Sequence, residues 1–354
     1  MLPLETFDWT KFVHLIGTAN RAVARYDGQL QNMPNPEILL SPLTTQEAVL
    51  SSKIEGTQAS LKEVLQYEAG PSPERPRVND IIEIINYRQA LAGAVKQMES
   101  LPLSLRVIRE THARLMDGAR GMQGAPGEFR KIQNWIGKPG STIETATYVP
   151  PPPNEVMSLL DNLEKYIHSE EKDVLVQLAI IHAQFEMIHP FLDANGRIGR
   201  MLIPLFLYHK KALGQPMFYI SAYFESHRDQ YYEKLRSVSA ANAWEDWIEF
   251  FLRATIEQAT ANSEKAKAIH RLYDSLKKRI EDLTHSQCAM RVLDFLFKKP
   301  VFRIGDFVTM TKIPRNSAPG ILSKLVKGSV LSQIVSKGRA GNLYVLSSLI
   351  KIVH

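Results

Sequence analysis

Within twelve residues, "HPFLDANGRIGR" from His189 to Arg200, the chain carries an imidazole, a carboxylate, an Asn-Gly pair and two guanidiniums. Pro190 and Gly196 argue against one continuous helix through this stretch. The expectation is a loop from His189 to Ala194 and a helix starting near Asn195. A helix N-terminus offers unpaired N–H groups and the positive end of its dipole, which together hold phosphate. Gly196 would let the backbone approach an anion closely. Arg197 and Arg200, three apart, project from neighbouring positions on that helix. Two fixed guanidiniums suit a polyphosphate better than a single carboxylate. Asp193 could hold Mg²⁺ against phosphate oxygens, because such sites use one or two carboxylates plus substrate phosphates. His189 could take the proton from an attacking hydroxyl. Base, metal ligand, anion nest and electrostatic clamp together describe nucleotide-phosphate transfer.

Each element also has a plainer reading. A histidine beside Pro-Phe is usually structural, and Asp193 could cap the following helix. Two arginines three apart often form a solvated or ion-paired face, and Asn-Gly often marks a turn. Their co-occurrence between two apolar segments, "VLVQLAIIHAQFEMI" and "MLIPLFLY", favours the chemical reading.

The elements that must position these groups read mostly as helix. "VLVQLAIIHAQFEMI" is apolar almost all round, as a central buried helix is. Upstream, "TTQEAVLSSKIEG" opens on a Thr cap and stops at Gly56. "GTQASLKEVLQYEA" restarts at once, with Thr57 as its expected cap, and "VNDIIEIINYRQALAGAVKQME" is periodic throughout. The stretch "GAPGEFRKIQNWIGKPGSTIETATYVPPPPNEV" is punctuated by Gly and Pro, with "TATYV" as a short strand. After the motif, "DQYYEKLRSV" and a long run ending in "KKRIEDL" continue the helical pattern. Residues 286–354 predict three helices and a hairpin, a winged helix-turn-helix.

The chain has 354 residues, 44% hydrophobic and 23% charged, an ordinary globular composition. Its one cysteine, Cys288, excludes an internal disulfide framework and a cysteine-based zinc site. No apolar run approaches the ~20 residues that span a bilayer, and the N-terminus shows no secretory pattern. No membrane association and a cytoplasmic location are expected. The net charge of +6 is uneven: residues 285–354 hold eleven Lys/Arg against two acids, the rest 32 against 35. Such asymmetry can mark a nucleic-acid surface. DNA is therefore a candidate partner of the C-terminal segment, through Arg315, Asn316, Lys324, Lys337 and Arg339.

The quoted stretch resembles the signature of the Fic family, H-P-F-x-[DE]-G-N-G-R-x-x-R. His189, Pro190, Phe191, Asp193, Asn195, Gly196, Arg197 and Arg200 match. Ala194 stands where the family most often has Gly, and is expected to be accommodated at negative φ. The resemblance implies an enzyme that uses ATP and Mg²⁺ to transfer AMP to a Ser, Thr or Tyr hydroxyl of a protein. It makes His189 the general base and Asp193 the metal ligand. Ala194, Asn195 and Gly196 would then line the α-phosphate region, with Arg197 and Arg200 on the distal phosphates.

"SSKIEG" is similar to the family's inhibitory pattern, [ST]-x-x-x-E-[GN], through Ser51, Glu55 and Gly56. The resemblance implies that Glu55 reaches the nucleotide site and pairs with Arg200. The Gly/Pro-punctuated stretch resembles the family's target-docking flap, with Thr147, Tyr148, Val149 and Pro150 at its tip. Tyr231 and Tyr232 lie where relatives place aromatic rings against adenine. The implied fold is mainly α, a Fic helical core with a small β-hairpin flap plus the winged helix. The expected parts are an N-terminal region 1–100, a core 101–258, a helical connector 259–284 and the winged helix 285–354. A homodimer is expected by resemblance only. AMP removal, another nucleotidyl or phosphoryl transfer, and a DNA-binding regulator with a nucleotide-sensing core remain as rivals.

Overall fold

A computed structural model describes residues 2, 4, 7–70, 77–118, 125–138, 140–285, 287–335 and 341–354. Helices dominate because apolar residues recur at three- and four-residue spacing along most of the chain. The N-terminal region holds α1 (Val13–Gln31), α2 (Pro36–Leu39), α3 (Ser41–Ile54), α4 (Leu61–Glu68) and α5 (Val78–Met98). Then come α6 (Leu105–Leu115), α7 (Pro153–His168), α8 (Val174–Ile188), α9 (Asn195–His209), α10 (Ser221–Ser226) and α11 (Arg228–Ala241). α12 (Trp244–Thr284) is one unbroken helix of 41 residues. It runs straight through the boundary expected at residue 258, so core and connector share one element.

α8 is the central helix, packed against α7, α9, α11 and α12. Its all-round apolar sequence leaves no face that could be given to water. Asp173 starts it by accepting from the amides of Leu175 and Val176. α3 packs on α5, α9 and α10. It begins at Ser41, earlier than the Thr cap suggested, because Pro42 sits in its first turn, where proline fits. α3 ends at Glu55 and reverses at Gly56, whose φ of +99° suits glycine. The Thr57 amide donates to Ser52 O at 3.1 Å and closes α3, so Thr57 does not cap α4. Ser60 does, in a capping box with Glu63.

The C-terminal unit comprises α13 (Ala289–Lys298), β1 (Val301–Arg303), α14 (Ile304–Thr311), α15 (Ala318–Lys327), β2 (Ser332–Ile334), β3 (Leu343–Val345) and α16 (Ser347–Val353). Its antiparallel sheet has the order β1-β3-β2, with Tyr344 between Phe302 and Gln333. The three helices and the hairpin stand in the order that the sequence predicts; β1, at three residues, is too short to show a period. Arg315, Asn316 and Lys324 are exposed. Lys337 and Arg339 lie outside the described residues. Among the described residues, no helix is long and apolar enough to cross a membrane.

α9 starts where expected, but its first-turn geometry differs from the sequence expectation. Ala194 precedes Asn195 at φ +64°, ψ 13°, in the left-handed region, not at negative φ. The cause is the closed loop before it: Asn195 Oδ1 accepts from Phe191 N and Asn195 Nδ2 donates to Phe191 O, both at 2.8 Å. A chain pinned across four residues must turn left-handed to enter the helix. The left-handed conformation costs an L-residue about 1–2 kcal/mol, while glycine adds unfolded-state entropy worth about 0.5–1 kcal/mol. Ala194→Gly is therefore expected to stabilise the protein by roughly 0.5–1 kcal/mol, read by chemical denaturation.

Candidate active site

His189 terminates α8 at φ +49°. Its Nδ1 lies 3.3 Å from Glu186 O. A carbonyl only accepts, so Nδ1 carries the proton and Nε2 keeps its lone pair. Burial pushes the imidazole down to about 4, leaving it neutral at neutral pH.

Two residues that the sequence reading did not single out hold the loop around it. Buried Arg130 donates from Nε to His189 O at 2.9 Å and from Nη2 to Pro151 O at 2.5 Å and Ile188 O at 3.2 Å. Its amide donates to Pro190 O at 2.8 Å. One guanidinium thus ties the flap to the histidine loop. Its only sequence signal was an arginine inside a Gly/Pro-rich stretch. On α6, His112 accepts from Gly127 N at 2.9 Å through Nδ1, so its Nε2–H donates to Asp193 O at 3.2 Å. The ring stacks on Phe191 at 3.8 Å, and burial pushes it down to about 4.

Asp193 is presented by that loop with its side chain 58% exposed. Its Oδ1 accepts from Ala194 N at 2.5 Å and stands 3.9 Å from Arg197 Nη2. Among the described residues no three His, Cys, Asp or Glu side chains gather into a metal cage. A single open carboxylate fits Mg²⁺ completed by phosphate and water, which is the usual arrangement for that ion. The Asn195 side chain is consumed by Phe191 at both ends, so any contact it makes to an anion is through its backbone.

Arg200 is 1% exposed, and its donors turn to α3. Nε donates to Ser51 Oγ at 2.9 Å, and Nη2 to Ser51 O at 2.9 Å and to Glu55 Oε1 at 2.6 Å. Glu55 therefore meets Arg200 as the resemblance implied, Ser51 joins it, and Gly56 makes the turn that follows. A Cβ on Gly196 would lie 2.2 Å from Glu55 Oε1, so the carboxylate rests directly on the first turn of α9. Burial works to raise the Glu55 pKa, but the Arg200 charge and hydrogen bond outweigh it and hold it below its usual value.

Arg197 is paired as well: Nη1 meets Glu83 Oε2 at 3.0 Å, a contact from α5 that no motif announced. Glu186 is a second unforeseen acid. Burial pushes its carboxyl up to about 8, and a Cβ on Gly199 would lie 2.2 Å from its Oε1, so a larger residue at 199 would have to push this side chain aside.

The adjacent tyrosines diverge. Tyr231 points into the core, where its hydroxyl donates to His182 Nε2 at 2.9 Å; His182 Nδ1–H in turn donates to Gly199 O at 3.0 Å. That chain joins α11, α8 and α9, and leaves Tyr231 no face for a ligand. Tyr232 is half-buried beside the end of α3, with its hydroxyl 3.4 Å from Ile54 O. Among its described residues the flap shows one antiparallel bridge, Ile136 with Tyr148. The chain reverses between these residues, so Thr147 to Pro150 form its return arm and not its tip. Tyr148 is anchored by its hydroxyl to Met187 O at 2.8 Å, Pro150 is buried, and Thr147 and Val149 are exposed.

The Fic/DOC family N-terminal model matches residues 13–96, and the Fic/DOC family model matches residues 102–207. Relatives include proteins named protein adenylyltransferase Fic from Drosophila grimshawi and Drosophila mojavensis. Each is 30% identical over 142 residues, covering 39% of this chain and 26% and 25% of theirs. The matched stretch thus spans about a quarter of the relatives' length. Among solved structures, a Fic family protein from Desulfovibrio desulfuricans aligns over 98% of both chains with a TM-score of 0.61 at 18% identity. Fic-1 from C. elegans aligns over 73% of both chains at 0.53 and 20%. With two family models covering more than half of its residues and the same fold in its structural neighbours, the chain belongs to the Fic family.

Proposed function

We propose that the protein transfers AMP from ATP to a hydroxyl of a protein target, and that Glu55 holds it inhibited. The observation that carries this reading is the Glu55 carboxylate lying on the first turn of α9 and on Arg200. An anion site is built there, and the chain fills it with its own acid. A triphosphate needs the same N–H groups and guanidinium. The names of the fly relatives support AMP as the transferred group.

The geometry supplies each part of an in-line displacement at the α-phosphorus. Neutral His189 has Nε2 free to accept the proton of the target hydroxyl. The hydroxyl oxygen bonds to the α-phosphorus, the bond to the bridging oxygen breaks, and pyrophosphate leaves. The α9 N-terminus, Arg197 and Arg200 offset the charge on the phosphates. Asp193 would hold Mg²⁺, which supplies further neutralisation of the triphosphate. Glu55 blocks this by occupying the guanidinium that the distal phosphates require, so the nucleotide cannot settle in line. The flap offers an extended edge for the target segment.

Intact-protein and peptide mass spectrometry after incubation with Mg²⁺-ATP tests the proposal. An AMP-sized gain should be weak in the wild type and greater by about tenfold or more in Glu55→Gly, because a charge-assisted hydrogen bond of this kind contributes about 1.5–3 kcal/mol. It should vanish in Glu55→Gly with His189→Ala. ATP binding without any gain, on the protein or on lysate proteins, would reject transfer and leave AMP removal or another donor.

The state of His189 sets a second expectation. Its protonated form cannot act as base, so activity is present above its folded pKa and lost as the pH falls through about 4. Glu55 acts to raise that pKa, so its removal shifts the loss lower still. The kcat/KM of Glu55→Gly is expected to stay flat from about pH 6 to 8, where an unperturbed imidazole would titrate near 6.5. A midpoint near 6.5 would show an exposed, ordinary histidine. The Glu55–Arg200 contact is complete above the usual carboxylate range and weakens only as the pH drops below it, because the Glu55 pKa is lowered in the fold.

A further inference from the structure

Both motif arginines face an acid, but the two acids sit on different kinds of support. Glu55 follows the last residue of α3, beside the Gly56 reversal, with its side chain 35% exposed. Rotation about its side-chain bonds removes it from Arg200 without disturbing a helix. Glu83 lies inside α5, five residues after its first residue Val78, and its side chain is only 15% exposed. α5 is itself held between α3, α4, α6 and α9. A nucleotide can displace the first acid; the second has nowhere to go.

The Glu83 contact also uses only one corner of the Arg197 guanidinium. Nη1 is 3.0 Å from Glu83 Oε2, and the side chain of Arg197 is 7% exposed. Nη2 stands 3.9 Å from Asp193 Oδ1, beyond hydrogen-bond reach. Nε is buried and has no hydrogen-bond partner among the described residues. The guanidinium is planar, so fixing one corner against a rigid acid fixes the direction of the opposite edge. That Nε–Nη2 edge is the pair of parallel donors that a phosphate accepts in bidentate form. A buried N–H with no acceptor is costly, and it marks where a ligand oxygen is missing.

We infer that Glu83 is a positioning residue: it grips Arg197 by Nη1 and aims the Nε–Nη2 edge at the phosphate chain of a nucleotide bound beside Asp193. The inference rests on the nucleotide-binding part of the proposed function and adds a third acid role to the site. Asp193 faces a cation, Glu55 competes with the phosphates, and Glu83 orients the arginine that receives them. Its carboxylate opposes phosphate by charge and favours it by geometry. In a buried site a misdirected donor costs more than a neighbouring charge that is already neutralised by its own partner.

The test is calorimetric titration of Mg²⁺ with a non-hydrolysable ATP analogue into the Glu55→Gly protein, with thermal melts to confirm folding. Glu83→Gln keeps an acceptor for Nη1 and removes the charge, while Glu83→Ala removes both. Affinity is expected to fall in the order Glu, Gln, Ala, with Ala weaker by about tenfold. Glu83→Ala should have no further effect once Arg197→Met is present. Equal or tighter binding in both Glu83 variants would overturn the inference and make Glu83 an opposing charge, as would the same loss in the Arg197→Met background. Analogue binding without AMP transfer from ATP would reject the transfer reading while leaving the Glu83 result standing. No binding by the Glu55→Gly parent would reject both.

Discussion

The charge of Arg200 has to be buried, and much of the N-terminal half is arranged around that requirement. A guanidinium at 1% exposure cannot be left to water, and an unpaired buried charge costs several kcal/mol. α9 supplies no side-chain acceptor for it, because its neighbours on that helix are Gly196, Arg197, Ile203 and Pro204. The acceptors must come from another element. α3 brings three: Ser51 Oγ, Ser51 O and Glu55 Oε1. The Glu55 contact is thus what makes Arg200 tolerable in this fold. If it is inhibitory as proposed, inhibition and stability share one group, and a phosphate that replaced Glu55 would have to satisfy the same guanidinium.

Spacing on α3 shows how one helix does this. Glu47, Ser51 and Glu55 recur every four residues and so line one face. Glu47 accepts from Ser221 N at 3.1 Å and Ser221 Oγ at 2.6 Å at the start of α10, while Ser51 and Glu55 take Arg200. Under the proposed inhibition, the competition with nucleotide would be intramolecular. Glu55 is always present at an effective concentration set by a well-anchored helix, with no translational entropy to lose. Modest affinity for Arg200 is then enough to hold off a diffusing ligand, and only the difference in binding between the two forms shifts the balance.

The sequence carried the motif and the main helices because both are local. The loop from His189 to Ala194, the start of α9 at Asn195 and the pairing of Glu55 with Arg200 follow from short patterns with long-range chemistry attached. What it did not carry is what depends on distant pairing. Glu83, Arg130 and His112 act through partners 114, 59 and 81 residues away, and each sits in a segment that reads as ordinary helix or loop. The left-handed Ala194 is set by the Asn195–Phe191 clasp, which depends on tertiary geometry and not on local propensity. Thr57 looked like a cap until its amide was needed to close α3. Tyr231 was lost to the core because the helical period places adjacent residues about a third of a turn apart, and the sequence does not say which one faces in.

The remaining constraint bears on how the site opens. α3 is packed on one side by α5, α9 and α10, and it also meets α13 and α16 of the C-terminal unit. Its core side chains Leu43, Ala48, Val49 and Ile54 are all buried. Moving the helix as a body would expose these at roughly 25 cal/mol for each Å² of apolar surface, a cost of several kcal/mol. Turning one glutamate about its side-chain bonds exposes almost none of it, and in the proposed reaction the charge-assisted contact it gives up would be replaced by phosphate on the same guanidinium. The cheapest route from closed to open is therefore a change at Glu55 itself, with α3, Ser51 and the anchor at Glu47 left in place. The Gly56 reversal favours that route, because α3 has already ended at Ile54 and the turn after Glu55 leaves the carboxylate free of any helical neighbour on its C-terminal side.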